Sequence, residues 1–185
     1  MARNKTGIET RERIIDATRR LLAEVGLEGA TIQAICEAAD VRPGSFYNLF
    51  ASKDAAILSV VKEAARASDV RSPDGTPEVG AMIEGFVNFI SEYPEEARVY
   101  LRIAVSGALS DEATQVWLRE FHDSRTERLT TAVLDSRPDL AHDDAEAKAK
   151  LLLATLNGLA IHTLLDPRFD IRLHADQLKK IIALV

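Results

Sequence analysis

"VRPGSFYNLFASKD", residues 41–54, decides how this chain is read. Pro43 and Gly44 are poor residues for a helix interior, yet Phe46, Tyr47 and Phe50 fall within five positions. Proline at a first helical position loses nothing, because that N–H has no partner inside the helix. The stretch therefore predicts a short helix that starts at Pro43. At 100° per residue, Phe46, Leu49 and Phe50 cluster on one side of it. Gly44 and Asn48 lie almost opposite, with Ser45 and Tyr47 on the flanks. One face is an aromatic anchor. The other is small, polar and nearly uncharged apart from Arg42 at its start.

Upstream, apolar spacing is helical. A first helix is expected after Thr10, with Ile14, Thr18, Leu21, Leu22 and Val25 on one face. Gly26 and Gly29 are read as its breakers. Thr31 can cap a second helix that turns Ile32, Ile35, Cys36 and Ala39 inward. Downstream, Ser52 caps a fourth helix of about eighteen residues. "RSPDGTP" (71–77) is the clearest linker. Further helices are expected at about 77–92, 94–109, 111–135, 143–165 and 173–184. The fold class is all-α, with about nine helices. Three N-terminal helices form one domain, residues 1–52, and residues 53–185 form a helical second domain.

A polar face with a glycine in it suits a helix pressed against base-pair edges. Gly44 permits close backbone approach, and Ser45 and Asn48 offer donors and acceptors together. Tyr47 and Lys53 fall where a phosphodiester backbone would pass, and Thr31 could donate from the start of helix 2. Two helices joined by a short turn, the second turned outward, make a helix-turn-helix.

Residues 10–61, "TRERIIDATRRLLAEVGLEGATIQAICEAADVRPGSFYNLFASKDAAILSVV", resemble the N-terminal domain of the tetracycline-repressor (TetR) family of bacterial transcription regulators. The likeness joins the helix-1 pattern, a "GxxxxT" start to helix 2, and "VxxGSFYxxFxSKD" across helices 3 and 4. Three positions depart from the family pattern. Cys36 stands where alanine is usual, Asp40 where a turn glycine is usual, and Arg42 where Ser or Thr usually caps the helix. The last change removes a cap worth about 1 kcal/mol.

The resemblance implies a homodimer on a near-palindromic DNA operator, an inverted repeat, with two recognition helices about 34–36 Å apart. It implies Thr31, Gln33, Arg42, Pro43, Gly44, Ser45, Tyr47, Asn48 and Lys53 as the DNA-binding residues. It implies that the last two helices form the dimer interface and that helices 4 to 8 enclose a small-molecule effector. Phe86, Phe89, Arg102, Trp117, Phe121 and Asn157 are the candidate ligand residues, for a small, partly hydrophobic molecule. The expected function is a ligand-responsive repressor. A regulator or architectural protein controlled by a protein partner is the alternative, and a helical enzyme a remote one.

Bulk properties agree. The composition, 46% hydrophobic and 28% charged, is that of an ordinary globular protein. No run approaches the roughly 18 apolar residues of a membrane span, and the N-terminus has no apolar signal core. With a single cysteine, Cys36, a reduced cytoplasmic protein is expected. The net charge is −6, but residues 1–54 carry eight basic and eight acidic side chains, so the acidity lies elsewhere. Arg3, Lys5, Arg11 and Arg13 outnumber Glu9 and Glu12 at the N-terminus and could form a basic arm on DNA. Arg19 and Arg20 read as a solvated face. His122, His142, His162 and His174 show no metal-ligand spacing, and no phosphate loop or nucleophile elbow occurs. No catalytic residue, metal or cofactor is expected.

Overall fold

The computed structural model describes residues 2–68, 78–106 and 112–183, without the side chains of 2–6, 105, 106, 113, 114, 117 and 183. The linker expected at 71–77 and the side chain of Trp117 lie outside the described residues. So do the side chains of Arg3 and Lys5. Nine α-helices and no strands occur among the described residues: α1 (Ala2–Gly29), α2 (Ile32–Ala38), α3 (Pro43–Tyr47), α4 (Lys53–Ala67), α5 (Val79–Glu92), α6 (Pro94–Ser106), α7 (Glu112–Ser136), α8 (His142–Leu165) and α9 (Ile171–Ala183).

The chain forms two compact units. The first joins Met1–Ala64 with Glu95–Thr114, and the second joins Ala65–Pro94 with Gln115–Val185. In the first, α1 and α2 pack together, and α3 packs on α2. Ile14, Ile15, Ile35, Phe46, Ile57, Val60 and Val61 are almost completely buried in this unit. Burying each of these side chains contributes about 1.5–3 kcal/mol. In the second, α5, α8 and α9 pack on one another. Ile83, Phe86, Val87, Phe89 and Ile90 form one broad buried face of α5. A helix with so wide an apolar face packs it against neighbours within its unit. Ala145, Ala149, Leu152, Leu153, Leu156 and Ala160 form the buried stripe of α8. Asp143 and Asp144 sit in its first turn, where the helix dipole favours negative charge.

Helix α1 differs from expectation at both ends. It begins at Ala2 rather than after Thr10, so the basic N-terminal segment is helical. Between residues 2 and 10 only Gly7 disfavours helix, by about 1 kcal/mol against alanine, which a long helix absorbs. At the other end Gly26 takes φ 70°, a left-handed value that kinks α1 without ending it. Val25, expected inside, is 53% exposed at the last position before the kink. Gly29 has no Cβ to collide with it; one built there would lie 2.6 Å from the Val25 Cβ. Helix α4 has fifteen residues rather than eighteen, and α9 starts two residues earlier than expected.

Candidate nucleic-acid interface

The interface is assembled by caps and turns before any surface chemistry enters. Thr31 caps α2, its Oγ1 accepting from the Ala34 N–H at 3.2 Å. The far end of α2 closes with two reversed backbone bonds. The Asp40 N–H donates to Glu37 O at 3.2 Å and the Val41 N–H to Cys36 O at 3.0 Å. This is a Schellman motif, with Asp40 at the left-handed position, φ 51°. Two guanidinium groups from α1 hold the same turn. Arg20 donates to Ala38 O at 3.3 Å and Arg13 to Asp40 O at 3.4 Å. Arg20 is therefore a brace for the turn rather than a freely solvated side chain.

Helix α3 starts at Pro43 with Arg42 as an N-cap that makes no side-chain cap bond. Phe46 is completely buried and its ring centroid is 5.6 Å from that of Phe50. Arg11 lies over the Phe50 ring at 5.5 Å. Tyr47 meets Phe46 edge to face at 5.7 Å and is 57% exposed. Arg42, Pro43, Gly44, Ser45 and Asn48 are all exposed, as are Thr31 and Gln33 on α2. The anchor and the outward face therefore coincide with the sequence expectation. A Cβ added to Gly44 would meet nothing within 4 Å, so packing makes no demand for glycine there.

Lys53 is the expected residue with a second employment. It is half-buried, and its Nζ donates to Leu27 O at 3.1 Å, beside the Gly26 kink. An ammonium has three donors, so that bond leaves two for a phosphate. Ser52 caps α4, accepting from the Ala55 N–H at 3.1 Å. Burial pushes the Cys36 thiol above its ordinary value, so it stays a packed, protonated side chain.

Arg19 overturns its reading as a solvated residue. It is half-buried and surrounded by carboxylates: Asp16 at 2.8 Å, Glu63 at 3.2 Å and Glu96 at 3.5 Å. It joins α1 to α4 and α6.

The candidate effector residues are scattered. Phe86 and Phe89 are buried on α5, and Phe121 is half-buried on α7. Arg125 bridges two of them, 5.1 Å from the Phe86 ring and 5.7 Å from that of Phe121. It was missed from the sequence, although it follows Phe121 by four residues on one helix face. The Asn157 Oδ1 is buried without a hydrogen-bond partner among the described residues. Arg102 is exposed and belongs to the first unit, paired at 2.7 Å with Glu28. Within the second unit it joins none of the others.

Residues 14–60 match the model for bacterial regulatory proteins of the tetR family. The regulator UidR of Escherichia coli K12 is 28% identical over 131 residues. That match covers 69% of this chain and 66% of UidR, just under two thirds of its length. The transcriptional repressor AcnR of Corynebacterium glutamicum is 37% identical over 71 residues, 38% of each chain. The crystal structure of a transcriptional regulator from Aquifex aeolicus VF5 shares the fold, with a TM-score of 0.65 over 95% of this chain and 98% of that one at 19% identity. No described helix is long and apolar enough to cross a membrane. An exposed polar α3 on a buried aromatic anchor lies within the matched residues: over residues 14–60 the chain is similar to bacterial regulatory proteins of the tetR family.

Proposed function

We propose that the protein is a cytoplasmic, ligand-responsive repressor that binds an inverted-repeat operator as a homodimer. The observation that carries this is the division of α3. Phe46 is completely buried and Phe50 nearly so, while Arg42, Gly44, Ser45, Tyr47 and Asn48 stand exposed together. In this reading Ser45, Asn48 and Arg42 face base edges, and Tyr47, Lys53, Thr31 and Gln33 face the backbone or groove wall. Residues 1–52 carry DNA binding, and residues 53–185 carry the effector and dimer roles. The naming of AcnR as a repressor supports repression here.

The effector reading rests on the second unit. Phe86, Phe121 and Arg125 set apolar rings beside a cation, and the Asn157 oxygen has no hydrogen-bond partner among the described residues. A small molecule with an apolar body and a few polar groups fits that chemistry. By favouring the non-binding form of the dimer by a few kcal/mol, it would release the operator. Dimerisation is assigned to α8 and α9, whose exposed Leu151, Ile161, Leu164, Leu165, Leu173 and Ile181 need a cover.

The test is a duplex selected from a random-sequence pool by the full-length protein. The enriched sequence is expected to be an inverted repeat. Tyr47→Phe is expected to weaken its binding by about 1 kcal/mol, roughly fivefold, with the helical content unchanged. Lys53→Ala should lower the slope of log affinity against log salt by about one. Enrichment of no sequence, or unaltered affinity in both variants, ends the reading.

A further inference from the structure

Arg42 breaks local rules of helix construction and gains no contact inside the protein in return. It is the N-cap of α3, yet its side chain makes no cap bond. A serine or threonine there would fold its hydroxyl back onto the Gly44 or Ser45 N–H. Its charge is positive at a helix start, where the free N–H groups favour a negative one. Its guanidinium has no hydrogen-bond or ion-pair partner among the described residues. The arginines of α1 are all otherwise employed: Arg11 and Arg19 on Glu63, Arg13 on Asp40 O and Arg20 on Ala38 O. A rule broken without compensation inside the fold points to a use outside it.

The backbone of Arg42, unlike its side chain, is fixed twice. A proline bars the helical region to the residue before it, and Arg42 takes φ −79° and ψ 149°. Its carbonyl accepts from the Ser45 N–H at 2.9 Å and from the Phe46 N–H at 3.2 Å, and Phe46 is completely buried. A long, exposed side chain thus leaves a rigid mount, beside the exposed Gly44, Ser45 and Asn48. Between residues 41 and 52 it is the only charged one. A guanidinium presents its N–H groups as a planar fork, which suits two acceptors side by side. In the major groove guanine alone shows such an edge, O6 beside N7; adenine sets a donor beside its acceptor. A phosphate also accepts the fork, but a phosphate contact needs only charge and reach. A base contact needs a fixed direction as well, and Arg42 starts the helix at the end that meets base edges.

We propose that Arg42 is a specificity-determining residue, whose guanidinium donates to O6 and N7 of one guanine in each half of the operator. The assignment rests on the operator binding proposed for the protein, and adds to it the base that one side chain selects.

The duplex selected by the full-length protein is the probe. Its inverted repeat should carry an invariant guanine in each half-site. Replacing that guanine with 7-deazaguanine deletes the N7 acceptor and keeps the base pair, so wild-type affinity should fall roughly fivefold. Arg42→Ala should bind the unmodified duplex about thirtyfold more weakly and lose nothing further on the 7-deazaguanine duplex, because both changes remove one interaction. Selection repeated with Arg42→Ala should relax that position and keep the others. Arg42→Ser, which can restore the cap, should bind as weakly as Arg42→Ala while its denaturant midpoint is no lower than that of wild type. Equal losses by Arg42→Ala on selected and unrelated duplexes would show a phosphate contact and overturn the assignment. So would a selected duplex in which every guanine tolerates the 7-deaza change, or unaltered affinity in Arg42→Ala. Any of these leaves the operator reading standing, since an inverted repeat has been enriched; enrichment of no sequence ends both.

Discussion

Helix α3 and helix α8 each leave a face exposed that the fold does not need, and the two faces are opposite in character. In α3 the exposed side is polar, with glycine where nothing in the protein would touch a Cβ. In α8 the exposed side is apolar, with Leu151 at 69% and Leu165 at 73% exposure. A polar face on a rigid aromatic anchor suits a partner that offers hydrogen-bonding edges. An apolar face on a long helix suits another apolar helix. Under the proposed function, the contrast separates a surface that reads DNA from a surface that associates with a second copy.

The largest expected effect attacks the anchor. Phe46→Ala removes a completely buried ring from a five-residue helix that has little propensity of its own. The expected loss is about 3–5 kcal/mol, measured as a lower denaturant midpoint. A loss under about 1 kcal/mol would mean that α3 is held by something other than its aromatics.

The next effect attacks the associating face. Leu165→Asp and Leu151→Asp replace exposed leucines, so each monomer should keep its stability to within about 0.5 kcal/mol. Together they should raise the dimer dissociation constant on the order of a hundredfold, read by sedimentation velocity. A dimer of undiminished affinity would show that the apolar face of α8 lies elsewhere than at the interface, and the contrast with α3 would lose its meaning.

The two regions also differ in how far the sequence could be read. The α3 region is governed by local rules. Pro43 at the helix start, Phe46 and Phe50 four residues apart, and Ser52 before Lys53 all act within one or two turns, and periodicity finds them. The errors arose where distant parts of the chain decide. Arg19 looks solvated on a helical wheel because Glu63, its partner 44 residues away, is invisible there. Arg102 looks like a pocket residue until Glu28, 74 residues away, is seen beside it. Val25 continues the apolar stripe on paper, yet it stands 53% exposed where the first segment of α1 ends at the Gly26 kink. Thr10 has the chemistry of a helix cap, yet nothing before it stops a helix and α1 runs from Ala2. Arg125 was legible in principle, one helical turn beyond Phe121.

The smallest expected effect concerns Asp40, the turn residue that stands where a glycine is usual. Three contributions oppose one another. Left-handed φ at a residue with a Cβ costs up to about 1–2 kcal/mol, less for aspartate than for most. A carboxylate just past the C-terminus of α2 meets the negative end of its dipole, a further penalty of about 0.3 kcal/mol on an exposed surface. Against these, glycine adds about 0.4–1 kcal/mol of unfolded-state entropy that folding must overcome. The bond from Arg13 goes to the backbone carbonyl and survives the change. Asp40→Gly is therefore expected to stabilise the reading head by about 0.5 kcal/mol, seen as a higher denaturant midpoint with unchanged slope. It also removes an exposed negative charge from the turn between α2 and α3, so affinity for the selected duplex should rise and the salt slope hold steady. A lower midpoint would mean that Asp40 sits in its left-handed turn without strain, and that the usual glycine is not required by the backbone of this turn.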